Sequence, residues 1–210
     1  GRQALYNAAL SARFTKWCLF EPEVHLHARG RDALPALFDV VARQDGAPRC
    51  EAQVRLDAMP AALAPLVAPR SVEPCDQRLV NKHSRANVMI GTPVLSPNRL
   101  QAQVLAPSAG HALAGPDAQA MGTVYLLEAF MQTQRWLNKT AEQVGGQRLR
   151  DTLIEVSITL HRPVARTEPV DVDRAQNAVP AGRGLRRHEG ELRVGDETVG
   201  QCAIVTLGAA

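Results

Sequence analysis

Cysteine is scarce and scattered in this chain. Cys18, Cys50, Cys75 and Cys202 are the only four, and no C-x-x-C pair occurs, which argues against both a zinc site and a disulfide framework. Long apolar runs are also missing. No stretch approaches the ~20 residues a membrane-spanning helix needs, and the amino end, GRQALYNAALSARF, lacks an apolar signal-peptide core. The expectation is a cytoplasmic protein that engages no membrane. There is no G-x-G-x-x-G and no G-x-x-x-x-G-K-[ST], so the usual nucleotide loops are excluded. Ser11, Ser84 and Ser108 lack G-x-S-x-G surroundings, which speaks against a serine hydrolase. Charge is nearly balanced, with 24 Lys and Arg against 21 Asp and Glu. The basic residues are scattered, so no nucleic-acid surface is expected. His25 and His27 would share one face of a strand, but no third ligand lies near them and no metal site is expected.

The most informative stretch present is HALAGPDAQAMGTVYLLEAFMQ, His111 to Gln132. A loop rich in Gly and Pro carries His111 and leads into a helix that is apolar on nearly every side around Glu128, a pattern that predicts burial. Burial disfavours the charged form and raises a carboxyl pKa, which would suit Glu128 to proton exchange near neutral pH. Gln132, at i+4, shares its face and could orient Glu128 or a carbonyl. A second reading stands beside this one: a lone Glu in an apolar helix is as often paired with a cation or set on a narrow polar stripe.

Two halves echo one another. ALFDVVARQDGAPRCEAQVRL and GLRRHEGELRVGDETVGQCAIVTL each read as strand, turn and strand around a cysteine. Further strands are expected at VHLHA from Val24 and LIEVSITLH from Leu153, and helices at about Gln3 to Trp17 and Ala118 to Thr140. NVMIGTPVL and RLQAQVLA add two short strands to the second half alone. The first half begins at its helix, so either its opening strands are lost or the chain is cut from a longer polypeptide. Residues 57–77, rich in Pro and Ala, form an ordered linker. The expected fold class is α+β, a long helix wrapped by a mostly antiparallel sheet and repeated, with residues 1–70 an incomplete first repeat and 71–210 a complete second one.

VNKHSRANVMIGTP, followed by His111 and YLLEAFMQ, resembles the second repeat of the AfsA-type A-factor biosynthesis proteins, a double-hotdog family of γ-butyrolactone and butenolide synthases. The histidine loop and L-x-E-A-x-x-Q helix are also similar to hotdog hydroxyacyl-carrier-protein dehydratases, which implies a catalytic pair at His111 and Glu128 with Gln132 in support. HALAGPDAQAMG lacks the dehydratases' His-Phe-Pro-Gly run. The AfsA-type resemblance implies condensation of a β-ketoacyl thioester, presented on the phosphopantetheine of an acyl carrier protein, with a three-carbon partner of the dihydroxyacetone phosphate or glycerol type. No bound cofactor is implied. Glu128 would be the base, His111 would polarise a carbonyl, and backbone N–H groups around Gly122 would hold the thioester oxygen. Lys82, Arg85, Arg162 and Arg166 are the candidates for a phosphate clamp. The chain would then release a finished polyketide, working beside synthase domains or as a dimer. Two alternatives remain: a hotdog thioesterase or dehydratase, and a non-catalytic module that docks a carrier protein.

Overall fold

The computed structural model describes residues 4–16, 23–30, 33–65, 67, 68, 70–108, 110–114, 119–145 and 151–208. The first half is made of four strands: β1 (Leu5–Phe14), β2 (His25–Gly30), β3 (Ala36–Gln44) and β4 (Ala47–Ala58). The second contains β5 (Val94–Ser96), β6 (Arg99–Gln103), the helix α1 (Thr123–Gln143), β7 (Asp151–Leu160), β8 (Asp171–Ala175), β9 (Val179–Pro180), β10 (Leu185–Val194) and β11 (Glu197–Gly208).

These strands form one antiparallel sheet in the order β2-β3-β4-β1-β7-β11-β10-β8-β6-β5, with β9 beside β10. The order is palindromic about the β1–β7 pair, where Ser11 faces Ser157. The echo between the halves is therefore a pseudo-twofold: hairpin β3–β4 answers β10–β11, and β2 answers β8. Asp45 and Gly46, both at positive φ, make the first hairpin turn, and Gly195 serves the second. β5 and β6 have no partner in the first half.

The helix expected at Gln3 to Trp17 is strand β1 over its described part. LYNAALSARF has alanines enough for a helix, but β1 sits at the centre of the sheet, bonded to β4 on one side and β7 on the other. Two ladders of backbone hydrogen bonds outweigh a weak local propensity. It follows that β1, not β2, is the counterpart of LIEVSITLH.

The core is correspondingly one-sided. Apart from Ala8 and Ala36, every buried apolar residue described lies between Cys75 and Val205. α1 packs on β1, β7 and β11, and on it converge Val156, Ile158, Ile204 and Leu192. Cys202 is buried there as a small apolar residue, whereas Cys50 on β4 is only half-buried. Beyond β4 the described residues of the linker form no helix or strand apart from a bridge of Pro74 to Gly91, and they are tied to the second half by Arg70 to Asp171 at 2.6 Å and by the Cys75 N–H to the Ile90 carbonyl at 3.0 Å.

Candidate active site

α1 runs uninterrupted because residues 123–143 contain neither Gly nor Pro, and Gly145 at φ 93° follows its end. Gly122 stands at the N-cap position and, having no side chain, makes no cap hydrogen bond, and no described side chain bonds to the first-turn N–H groups. A Cβ at Gly122 would lie 2.6 Å from the carbonyl oxygens of both Leu113 and Ala114. Only glycine lets the histidine loop pack its backbone on the helix start.

Glu128 is 7% exposed, as the apolar pattern requires. Its Oε1 accepts from Lys82 Nζ at 2.8 Å, from the Arg135 guanidinium, and from Gln132 Nε2 at 3.4 Å. Burial pushes the carboxyl pKa up, but the charges and hydrogen bonds of Arg135 and Lys82 outweigh it and hold it below the ordinary carboxylate value. The lifted pKa expected from burial is therefore reversed, and the cation-paired reading of Glu128 is the one realised. Arg135 was missed from sequence, although at i+7 it lies on the same helix face.

Gln132 is fully buried and spends its amide on the segment before β5. Its Oε1 accepts the Met89 N–H at 2.9 Å, and its Nε2 donates to the Asn87 carbonyl at 2.9 Å. A short 3-10 turn, Arg85–Asn87, delivers these groups, with Ser84 Oγ accepting from the Ala86 N–H at its start. Gln132 therefore fastens chain rather than meeting a substrate carbonyl.

His111 stands over the helix start. Its ring packs edge-on against Tyr125, with centroids 5.2 Å apart, and its Nδ1 accepts the Leu113 N–H at 3.2 Å. In the neutral ring that bond leaves the proton on Nε2, an atom that is buried and has no hydrogen-bond partner among the described residues. Tyr125 lies one turn before Glu128, so the histidine and the carboxylate occupy neighbouring turns. No hydrogen bond joins them among the described residues.

The four expected clamp cations do not converge. Lys82 is held by Glu128, and Arg85 pairs with exposed Glu73 at 2.9 Å. Arg162 is bracketed by Glu168 and Glu197, each at 3.0 Å. Arg166 donates to the Pro107 carbonyl at 3.2 Å and to the Ser108 carbonyl at 2.6 Å. Ser108 also receives the His111 N–H at 3.2 Å, so Arg166 braces the histidine loop. A phosphate would find each cation already committed.

A buried polar cluster on the other side of α1 went unread in the sequence. Arg174 on β8 is 1% exposed, donates to the Ala175 carbonyl at 3.1 Å, approaches Nδ1 of His188 at 3.1 Å and stacks over Phe130. Gly190 makes room, since a Cβ there would meet Arg174 Cβ at 2.6 Å and the Phe130 ring at 2.8 Å. Burial pushes Arg174 down to about 10, and burial with the Arg174 and Arg186 charges pushes His188 down to about 4. Alternation in DVDRA and LRRHEGEL places both residues on the face of Val172 and Leu192, which is the signal that could have found them. His25 and His27 are exposed on β2, and among the described residues no group of three His, Cys, Asp or Glu is arranged to hold a metal.

No protein-family model matches the chain, and no curated protein matches its sequence. Solved structures do. The acyl-CoA thioesterase II TesB2 of Mycobacterium marinum is similar over 98% of this chain and 81% of its own, at 15% identity and a TM-score of 0.61. The bifunctional dehydratase-cyclase domain of ambruticin biosynthesis is similar over 97% and 75%, at 18% identity and 0.55. The dehydratase domain from the CurJ module of the curacin polyketide synthase is similar over 96% and 75%, at 13% identity and 0.58. With the palindromic sheet and its long packed helix, these matches give the class: the chain has the α+β hotdog fold. No helix among the described residues is long and apolar enough to cross a membrane.

Proposed function

We propose that the protein acts on acyl thioesters, as a hotdog thioesterase or dehydratase, with its chemistry at the start of α1. The observation that carries this reading is the pairing of a helix start without a side-chain cap with His111, whose tautomer is fixed by the Leu113 N–H and whose Nε2–H has no partner among the described residues. Unpaired first-turn N–H groups at Gly122 and beyond suit a thioester oxygen as negative charge develops on it. The His111 Nε2–H then donates a hydrogen bond to the thioester oxygen or the departing sulfur, and the proton that the thiolate takes up is the one lost by the attacking water. Glu128, ionised by Arg135 and Lys82, orients water or substrate by charge rather than acting as a strong base.

The lowered Glu128 pKa makes it a weak base for either reaction, so hydrolysis and dehydration are separated by the product and not by this residue. The butenolide-forming condensation implied by the AfsA-type resemblance would, with a phosphorylated partner, call on cations that here pair with carboxylates at Lys82, Arg85 and Arg162, which gives that reading less support. The substrate would be presented on phosphopantetheine, either of coenzyme A or of an acyl carrier protein.

The test is thiol release and product mass from acyl-coenzyme A, acyl-carrier-protein and β-ketoacyl substrates, with and without dihydroxyacetone phosphate. Thiol and free acid should appear without any three-carbon partner, and His111→Asn should cut the rate by roughly 10²-fold or more. A product that carries three added carbons would restore the condensing reading. Absence of turnover on every thioester would leave a binding module.

A further inference from the structure

The first half helps to wall a cavity beside the helix start. About 360 Å³ of space lies where β1, the end of β4, the histidine loop and the start of α1 meet. Its wall is mainly apolar: Leu5, Leu56, Met59, Leu113, Met121 and Val124 supply its large aliphatic side chains, with Tyr6, Asn7 and Thr123 the members that carry polar groups. Three features build it. Ala8 bulges out of the β1–β4 ladder between Asn7 and Ala9 and so re-aims the strand. The Thr123 hydroxyl donates to the Asn7 carbonyl, tying the helix start to β1. The Met59 N–H donates to the Ala4 carbonyl at 2.8 Å and joins the chain beyond β4 to the start of β1. Leu5 and Val124, each 41% exposed, are large apolar side chains left partly in water on this wall.

We propose that this cavity receives the aliphatic tail of the acyl group and sets the chain length the protein accepts. The occupant's identity rests on the acyl-thioester reading; the space itself does not. The uncapped first turn and Leu113 of the histidine loop border the cavity, so a tail lodged there leaves its carbonyl at the helix start. An apolar wall offers a charged or strongly polar ligand almost nothing in exchange for its water, whereas each buried methylene contributes about 0.8 kcal/mol. At about 30 Å³ of close-packed interior per methylene-sized group, the space holds a linear chain on the order of ten carbons.

The methionines report on this directly, because Met59 and Met121 line the cavity while Met89 is buried elsewhere, against Gln132. Protein carrying ¹³C-methyl methionine is titrated with butanoyl, decanoyl and hexadecanoyl amide analogues of an N-acetylcysteamine thioester, which cannot be cleaved. Decanoyl analogue should shift Met59 and Met121, leave Met89 in place, and bind at least tenfold tighter than butanoyl. Leu56→Trp should abolish the decanoyl preference, and Val124→Trp, at a half-exposed position with less risk to folding, should weaken it. Shifts that ignore chain length, or that spare Met59 and Met121, would overturn the proposal. Decanoyl binding without cleavage of any thioester would leave the cavity standing and sink the enzymatic reading; cleavage without these shifts would do the reverse.

Discussion

Lowering the pH from 7.5 to 5.0 should cost this protein stability through one residue, His188. The side chain is 4% exposed, and burial, with Arg174 and Arg186 nearby, holds its folded pKa at about 4 against 6.5 for an ordinary histidine. A depressed folded pKa means that the unfolded chain binds the proton first. The contribution is therefore fully present above pH 6.5, falls away as pH drops toward 4, and is gone below it. The full span is about 3 kcal/mol, of which about 2 kcal/mol is lost between pH 7.5 and 5.0. Urea unfolding at the two pH values measures this in the native protein and in His188→Gln, which cannot gain a proton and keeps a polar group toward Arg174. The native protein should lose about 2 kcal/mol more than the variant over this interval. Equal losses, or an NMR titration that places His188 near 6.5, would refute the argument.

Glu128→Gln removes the charge shared by Lys82 and Arg135 and should destabilise by about 1–3 kcal/mol, less than for a fully buried pair because both cations reach water; a double-mutant cycle with Lys82→Met should recover a coupling of the same sign. Gly122→Ala drives a Cβ to 2.6 Å from the Leu113 and Ala114 oxygens, so thioester turnover should fall at least tenfold and the Leu113 and Ala114 amides should exchange faster with solvent. Arg166→Met frees the Pro107 and Ser108 carbonyls, and the His111 ring resonances should move even where the melting temperature changes little. Arg174→Met replaces a buried cation that has no carboxylate partner among the described residues. It should leave stability unchanged or raised, and thermal melts with a His188 titration moving toward 6.5 would show the released charge.

Much of the site was readable because helices and hairpins announce themselves locally. The apolar run from Val124 to Met131 forecast the burial of Glu128, and turns at Asp45-Gly46 and Gly195 marked both hairpins of the repeat. β1 was misread for the opposite reason. Its alanines carry a local helix preference, and nothing in ten residues records that they will be bonded on both edges at the centre of a sheet. Glu128 fared differently: its burial was legible, and Arg135 on the same helix face could have been read as its partner, but Lys82, which completes the pairing, lies 46 positions away in sequence. How the expected clamp cations are engaged was not legible, because Glu128, Glu73, Glu168 and Glu197, the carboxylate partners of Lys82, Arg85 and Arg162, are brought to them only in space.

The sequence by itself determined the elements that depend on near neighbours: the apolar helix, the hairpins and their echo. Tertiary structure alone decided which strand stands at the pseudo-twofold, which cations neutralise Glu128, and that the first half walls a cavity at the helix start. Those outcomes rest on hydrogen-bond ladders, ion pairs and packing between residues distant in sequence, and such contacts leave no periodicity in the chain that makes them.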